Sequence, residues 1–418
     1  TLIERRHGRK RMTRDREVAV LKFGGTSLAT AESREVARQR VMESRQQGYA
    51  TVVVCSAMGR PPDPYATDTL LNLNPGAQKS NSNTDVLLAC GELISAAVFA
   101  ELLTQQGAKA RTLTGAQAGI LTNANFGDAK IIRVQPARVQ ALLEEDVIPV
   151  VAGFQGMTME GDITTLGRGG TDLTAIALGN ALEAERVDIY TDVSGAMSAD
   201  PHRVESARTI ERAQLLEMSE LSEHGAKVMH SKAAEFARAT GTPYAIKGLD
   251  TDRGTVVVQS VDHHRPVTGV TSSGNLTFVR IIRGDLEEQR ARMQLELQMF
   301  ERIAEAAISV DQVNINSAGV FFVVSEDDGQ SIRRLLADLN MAVRMREHCA
   351  KISIVGAGMR GTPGVISGIV QALSGANVEI IHCTDSNITI SIVVPDNDVT
   401  RAERAVHDYF ALDQGESA

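Results

Sequence analysis

Tryptophan is absent from this chain, aromatic residues make up only 4% of it, and cysteine occurs four times. Cys55, Cys90, Cys349 and Cys383 are scattered without any CxxC spacing. That excludes a disulfide scaffold or a zinc ribbon and reads as reduced, buried thiols of a cytoplasmic protein. No apolar run is read as approaching the roughly 18 to 20 residues of a spanning helix, so no membrane partner is expected. Excess positive charge is missing too, with 43 Lys and Arg against 52 Asp and Glu, a net charge of −9. Proteins that wrap nucleic acid need the opposite balance, whereas a small anionic ligand needs only a local positive site. The opening TLIERRHGRKR lacks the apolar stretch of a secretory signal, and residues 1–16 are set aside as a disordered tail.

What is present is the composition of a soluble globular protein, 43% hydrophobic and 23% charged, in 418 residues that exceed one ordinary core. From 17 to 262, short apolar runs alternate with helical stretches. VAVLKF (18–23), TVVVCS (51–56), VIPVVAGF (147–154) and VDIYTDV (187–193) read as buried strands. Between them lie AESREVARQRVMESRQQG, TDVLLACGELISAAVFAELLTQQG and TDLTAIALGNALEA, with apolar residues at helical spacing. Such alternation implies α/β architecture, a mainly parallel sheet covered on both faces, with ligands beyond the carboxyl ends of its strands. After SVDHHRP (260–266) two shorter blocks follow, 267–346 and 347–412. The second reads as a β-α-β-β-α unit whose edge strands KISIVGAG and NITISIVV would be exposed alone and are expected to be covered by another subunit or by the first block, which reads as its degenerate repeat. In this serial reading a chain cut after about Asp262 keeps a folded catalytic domain.

Five stretches carry chemistry. TTLGRGGTD (164–172) puts Gly167, Gly169 and Gly170 around Arg168, where glycine needs a return such as positive φ or close approach to a ligand. Thr171 and Asp172 then open a helix, whose free N–H groups attract anions, although a capped turn with a solvated arginine would look alike. VLKFGGTS ends the first strand on Lys22 and follows it with bare backbone, which suits a phosphate chain; it is no Walker loop, since no GxxxxGK[ST] occurs. YTDVSGAMSADPHRV (190–204) groups Asp192, Asp200 and Pro201 in one loop, suited to nucleotide hydroxyls or the waters of a magnesium ion, or simply to turning the chain. GAKVMHSK sets Lys227 near a helix start, unexpected unless an anion is shared, and ACGELIS places Glu92 in an apolar helix, either on an exposed stripe or inward awaiting an ammonium.

KFGGTS, SAMG, CGE, TLGRGGTD, YTDVSG, ADP and GAKV occur in the order seen in the aspartokinases, and from Val18 to about Leu412 the chain resembles that family. AMGRPPDPYATDTLL and TGAQAGILTNANFGDAKI look like its Bacillus-type lysine-pathway branch. The resemblance implies the amino-acid kinase fold, a three-layer αβα sandwich, followed by two ferredoxin-like ACT domains that sense amino acids. It implies MgATP-dependent phosphorylation of the side-chain carboxylate of L-aspartate to 4-phospho-L-aspartate, at the head of lysine, diaminopimelate, threonine and methionine synthesis. By position, Lys22 and Asp172 would be catalytic. Lys22, Phe23, Gly24, Gly25, Ser27, Thr191, Asp192, Met197, Asp200, Pro201, His202 and Lys227 would hold the nucleotide, with no metal bound by the protein alone. Ser56, Thr67, Glu92, Arg168, Gly169, Gly170 and Thr171 would take aspartate. Met359, Gly361, Pro363, Gly364 and Val365 would meet an effector: lysine, threonine or diaminopimelate. A homodimer or higher oligomer through the ACT domains is expected. Two departures stand out: His202 replaces the family's usual arginine, and the first ACT block lacks the TPG turn of 362–364. Another amino-acid kinase, or a sensor without transfer activity, are the rival readings.

Overall fold

The computed structural model describes residues 16–73, 81–226, 228–262, 265–282, 289–339 and 341–414. They form two compact units: one takes in the chain to Ala196, Thr209–Ser222 and the stretch ending at Val261, the other Met197–Arg208, Glu223–Ala226 and the chain from Asp262 on.

The first unit runs β1 (Val18–Phe23), α1 (Gly25–Leu28), α2 (Ala31–Gln46), β2 (Ala50–Cys55), α3 (Thr67–Leu71), α4 (Ser82–Gln105), β3 (Ala110–Leu113), β4 (Ile120–Thr122), β5 (Ile131–Val134), α5 (Ala137–Glu144), β6 (Ile148–Ala152), β7 (Gln155–Met157), β8 (Ile163–Thr165), α6 (Gly170–Ala181), β9 (Arg186–Thr191), β10 (Arg212–Gln214), α7 (Leu215–Glu223), α8 (Ser231–Thr240), β11 (Tyr244–Gly248) and β12 (Gly254–Val258). Eight strands form one sheet in the order β10-β12-β11-β9-β1-β2-β6-β3, parallel except where β12 meets β11. The expected three layers are present. Leu21, Phe23, Val53 and Cys55 pack on Val41 of α2 and on Phe99 and Leu103 of α4, while α6 lies against β1, β2 and β9. The strands are apolar on both sides because both faces are covered.

Two features escaped the sequence reading. A second sheet, β5-β4-β7-β8, is built from three- and four-residue strands too short to show periodicity. And α4 is apolar enough to span a bilayer, with a mean hydropathy of 2.0 over 18 residues, which corrects the expectation that no such run exists. Half of that window is buried in the fold, against β3, β6 and β8, so α4 is a core helix.

The second unit carries β13 (Gly269–Ile282), α9 (Gln289–Glu305), β14 (Asp311–Asn316), β15 (Gly319–Ser325), α10 (Glu326–Leu335), β16 (Ala342–Val355), α11 (Val365–Gly375), β17 (His382–Asp385), β18 (Thr389–Pro395) and α12 (Val399–Tyr409). Its strand order is β14-β15-β13-β16-β18-β17. β16 runs straight through 346, where the sequence suggested a division, and pairs with β13 over its whole length. Register shifts between Ser273 and Phe278 divide each long strand into two halves. One half joins β14, β15, α9 and α10 around Val279, Phe322 and Ile332; the other joins β17, β18, α11 and α12 around Ile352, Ile369 and Val406. The first block is therefore inserted within the strands of the second. KISIVGAG in β16 is covered by β13, which comes from the first block as expected, and NITISIVV in β18 lies between β16 and β17; the open edges are β14 and β17.

Residues 197–208, read from the sequence as part of a nucleotide loop, are fastened inside this second unit. The Ser198 hydroxyl lies 2.9 Å from Nε2 of His407, and the Val270 N–H donates to the Ser198 carbonyl at 2.8 Å. Arg404 donates to the Arg203 carbonyl at 2.6 Å, Arg208 to that of Leu412 at 2.7 Å, and the Arg203 guanidinium rests between Ser272 and the buried Glu403.

Candidate active site

Lys22 closes β1 with its side chain buried, which a lysine accepts only beside an opposite charge. Its Nζ lies 2.7 Å from Oδ1 of Asp172, and α6 places that carboxylate in its first turn, where the helix dipole also favours it. The backbone beyond Lys22 is bare by necessity. A Cβ on Gly24 would sit 3.5 Å from Lys22 Nζ, and one on Gly25 would come within 2.8 Å of the Ala57 and Gly59 carbonyls. The Ser56 N–H donates to Phe23 and the Gly59 N–H to Gly25, so the segments from 23 to Ser27 and from 56 to 59 are laced side by side. Ser27 is buried at this junction.

Arg168 stands between Gly167 and Gly169, whose φ angles of 72° and 73° are left-handed. Space adds a second reason for glycine at 169, since a Cβ there would meet that of His230 at 2.1 Å. Arg168 itself is exposed and has no partner among the described residues. Gly170 and Thr171 open α6, and the methyl of Thr171 fills the space over Gly153, which leaves that position no room for a side chain.

Glu92 settles its own ambiguity. It faces inward from α4, 2% exposed, and accepts a hydrogen bond from the Ala57 N–H, yet its Oε2 has no partner. Burial pushes its carboxyl up to about 8. A buried carboxylate oxygen left open beside a lysine-and-glycine cradle can take a cation such as an ammonium group. Thr67 opens α3, which packs on α4.

At the end of β9, Asp192 accepts from the Thr191 hydroxyl at 3.0 Å and from Arg60 at 2.7 Å. Burial pushes this carboxyl up, but the hydroxyl and the Arg60 charge outweigh it and the pKa is lowered. Arg60 went unread in the sequence, although it directly follows the SAMG motif; only the pairing with a strand end 132 positions away reveals it.

Not every expected residue joins this cluster. Lys227 lies outside the described residues. Met197, Asp200, Pro201 and His202 belong to the second unit, where Asp200 Oδ1 accepts the His202 N–H at 2.9 Å and its carbonyl accepts those of Arg203 and Val204. Arg203, the nearest substitute for the arginine missing at 202, is engaged by Ser272 and Glu403 instead. In the same unit Met359, Gly361, Gly364 and Val365 line a cavity of about 410 Å³ with Arg360, Asp385, Ser386 and Asn387, and Pro363 is not part of its wall. No group of three or more His, Cys, Asp or Glu able to hold a metal ion occurs among the described residues.

Comparison with known proteins was made against this geometry. The model of the amino acid kinase family matches residues 17–248, and that of an ACT domain matches 352–410. Aspartokinase 1 of Bacillus subtilis is 40% identical over 409 residues, covering 95% of this chain and 99% of that protein. The aspartokinase of Geobacillus stearothermophilus is 38% identical over 406 residues, covering 94% and 97%. Among solved structures, E. coli aspartokinase III in complex with aspartate and ADP superposes with a TM-score of 0.75 at 23% identity, covering 94% of this chain and all of that one.

Proposed function

This chain belongs to the aspartokinases, within the amino acid kinase family, and from that premise we propose how its residues perform the reaction and how it is controlled. It is an aspartate kinase: the β-carboxylate oxygen of L-aspartate bonds to the γ-phosphorus of ATP, the bond from that phosphorus to the β,γ-bridging oxygen breaks, and ADP leaves with its electron pair. The observation that carries the assignment of residues is the open, buried oxygen of Glu92. It fits the ammonium of an α-amino acid, and the unpartnered Arg168 fits a carboxylate through two parallel hydrogen bonds. Lys22 neutralises the phosphoryl oxygens as charge moves toward the leaving group, and Asp172 holds it aimed. The backbone of Phe23, Gly24, Gly25 and Ser27 cradles phosphate, where no Cβ stands in the way at 24 or 25. Ser56, Thr67, Gly169, Gly170 and Thr171 line the aspartate side; Thr191 and Asp192, with Met197, Asp200, Pro201, His202 and Lys227 by resemblance, serve the nucleotide. A magnesium ion, carried on the ATP phosphates, would neutralise their charge there, and Asp192 would meet its waters without the site needing a cage of protein carboxylates. The four free cysteines suit a reducing cytoplasm.

An ADP-release assay tests the assignment. Aspartate supports release, while glutamate or no acceptor gives at most a few per cent of that rate; equal rates with glutamate overturn it. Arg168→Lys raises the KM for aspartate roughly 10- to 150-fold, the equivalent of about 1.5–3 kcal/mol for a lost charged hydrogen bond, because a point charge cannot reproduce a planar fork. A KM equal to that of the unaltered enzyme removes Arg168 from the site.

Control by an end-product amino acid falls to the cavity at the start of α11. The first N–H groups of that helix suit the effector's carboxylate and Asp385 its ammonium. E. coli aspartokinase III has been solved with lysine and aspartate. Lysine is accordingly the effector to test first, with threonine and diaminopimelate beside it. The open edges at β14 and β17 suit pairing with another copy. Gly364→Asp places a like charge in the cavity wall, where nothing lies within 4 Å of the new Cβ, although the φ of 93° there strains any side chain, and weakens inhibition tenfold or more with the aspartate KM unchanged in the absence of effector. Undiminished inhibition moves the effector elsewhere.

A further inference from the structure

We propose that Asp85 is a positioning residue that fixes the Arg168 turn relative to Glu92 and thereby sets the length of acceptor the site takes. The inference rests on the assignment of Arg168 and Glu92 to the two ends of the substrate.

Asp85 lies in the first turn of α4, fully buried, and its carboxylate is the meeting point of three segments. Oδ2 accepts the N–H of Gly127 at 3.0 Å and that of Thr165 at 2.6 Å, and Oδ1 accepts the Thr165 hydroxyl at 3.0 Å. Thr165 ends β8, two positions before Gly167. Gly127 belongs to the loop between β4 and β5, and that loop backs the same turn: a Cβ on Gly167 would meet Asp128 Oδ1 at 2.6 Å and the Gly127 carbonyl at 3.2 Å. The Ala129 N–H, donating to the Thr165 carbonyl at 2.9 Å, closes the loop onto the strand. The turn that carries Arg168 is thus held from its strand side and from behind, and both supports end on one side chain.

Glu92 is seven residues further along α4, two turns on and on the same face, about 10 Å along the axis. One rigid helix therefore carries the group that meets the ammonium and the group that locates the carboxylate clamp. Aspartate and glutamate differ by a single methylene, so discrimination depends on how firmly that separation is kept. Three donors converge on the Asp85 carboxylate, two backbone N–H groups on Oδ2 and the Thr165 hydroxyl on Oδ1. An asparagine would keep all three contacts, accepting both N–H groups on its own Oδ1 and donating to the hydroxyl, whereas an apolar side chain of similar size such as leucine removes them.

The test uses the full chain. Asp85→Leu raises the KM for aspartate tenfold or more and cuts the preference for aspartate over glutamate, as a ratio of kcat/KM values, by a similar factor, with the KM for MgATP within twofold. Asn81→Ala removes the side chain that caps the same helix at the Thr84 N–H and serves as the structural control, with KM and preference within twofold. Thr165→Val deletes only the hydroxyl donor and shifts the aspartate KM about threefold, which keeps the test alive should Asp85→Leu fail to fold. A preference and KM unchanged in both Asp85→Leu and Thr165→Val, with only the melting temperature lowered, overturn the inference. An unaltered enzyme without aspartate-dependent ADP release would instead overturn the assignment beneath it.

Discussion

Lys22→Ala lowers kcat by about a thousandfold while MgATP still binds. The charge matters most where it develops, on phosphoryl oxygens midway in transfer, and removal of one preorganised donor to such charge typically costs 10²–10³ in rate. The substitution also strands Asp172, whose side chain is only 14% exposed and has Lys22 as its ion-pair partner at 2.7 Å. A buried charge without its partner destabilises by about 3–5 kcal/mol, so slow turnover could reflect a loosened fold. The double substitution Lys22→Ala with Asp172→Asn separates the two effects. It removes the stranded charge and recovers part of the melting temperature, yet kcat stays near the level of the single variant. Single-turnover phosphoryl transfer, measured well below the melting point of each variant, is the decisive reading; a kcat within tenfold of the unaltered enzyme would falsify the role.

Glu92→Gln raises the KM for aspartate about a hundredfold at pH 8.5 and abolishes its pH dependence. With the empty site's carboxyl pushed up to about 8, Glu92 holds a proton at neutral pH that must leave before it can pair with an ammonium. Aspartate KM in the unaltered enzyme therefore falls as pH rises toward 8, by up to tenfold per unit, and then levels. At pH 6 the two enzymes converge, since both present a neutral group. Stability has the opposite sign. Between the ordinary value of 4.5 and about 8 the folded chain binds the extra proton, so the unaltered enzyme loses stability as pH rises through that window. The neutral glutamine does not titrate, and the variant melts higher at pH 8.5 but not at pH 4.5. A flat aspartate KM between pH 6 and 8 in the unaltered enzyme would dismiss the open oxygen of Glu92 as the ammonium partner.

Local features were the ones the sequence disclosed. Lys22 before a double glycine, the three glycines around Arg168 and the acidic first turn of α6 each announce themselves within a few residues, because strand ends, left-handed turns and helix starts are specified nearby. Glu92 was legible as a choice between outward and inward, and only the packing of α4 against the sheet decided it. Arg60 and Asp85 were not legible at all. Asp85 acts on groups 42 and 80 positions away and Arg60 on one 132 away, and no short window contains the partner. The regulatory strands were legible only in part for the same reason. Periodicity identifies KISIVGAG as a strand and its exposed edges as needing cover, but only the fold shows that β13, some eighty residues earlier in the first block, supplies it.

The fastening of residues 197–208 bears on how this enzyme can be made insensitive to its effector. A chain ending after about Asp262 keeps Lys22, Arg168 and Asp172, but it discards His407, Glu403, Arg404 and Ser272, the groups to which Ser198 and Arg203 are tied. The segment that the family resemblance assigns to the nucleotide would then have lost its moorings, against the expectation of an intact catalytic domain. A single cut there would therefore discard groups that hold this segment. On the proposal that the effector binds in the α11 cavity, feedback-resistant forms for amino-acid production are better sought as point substitutions in that cavity than as shortened chains.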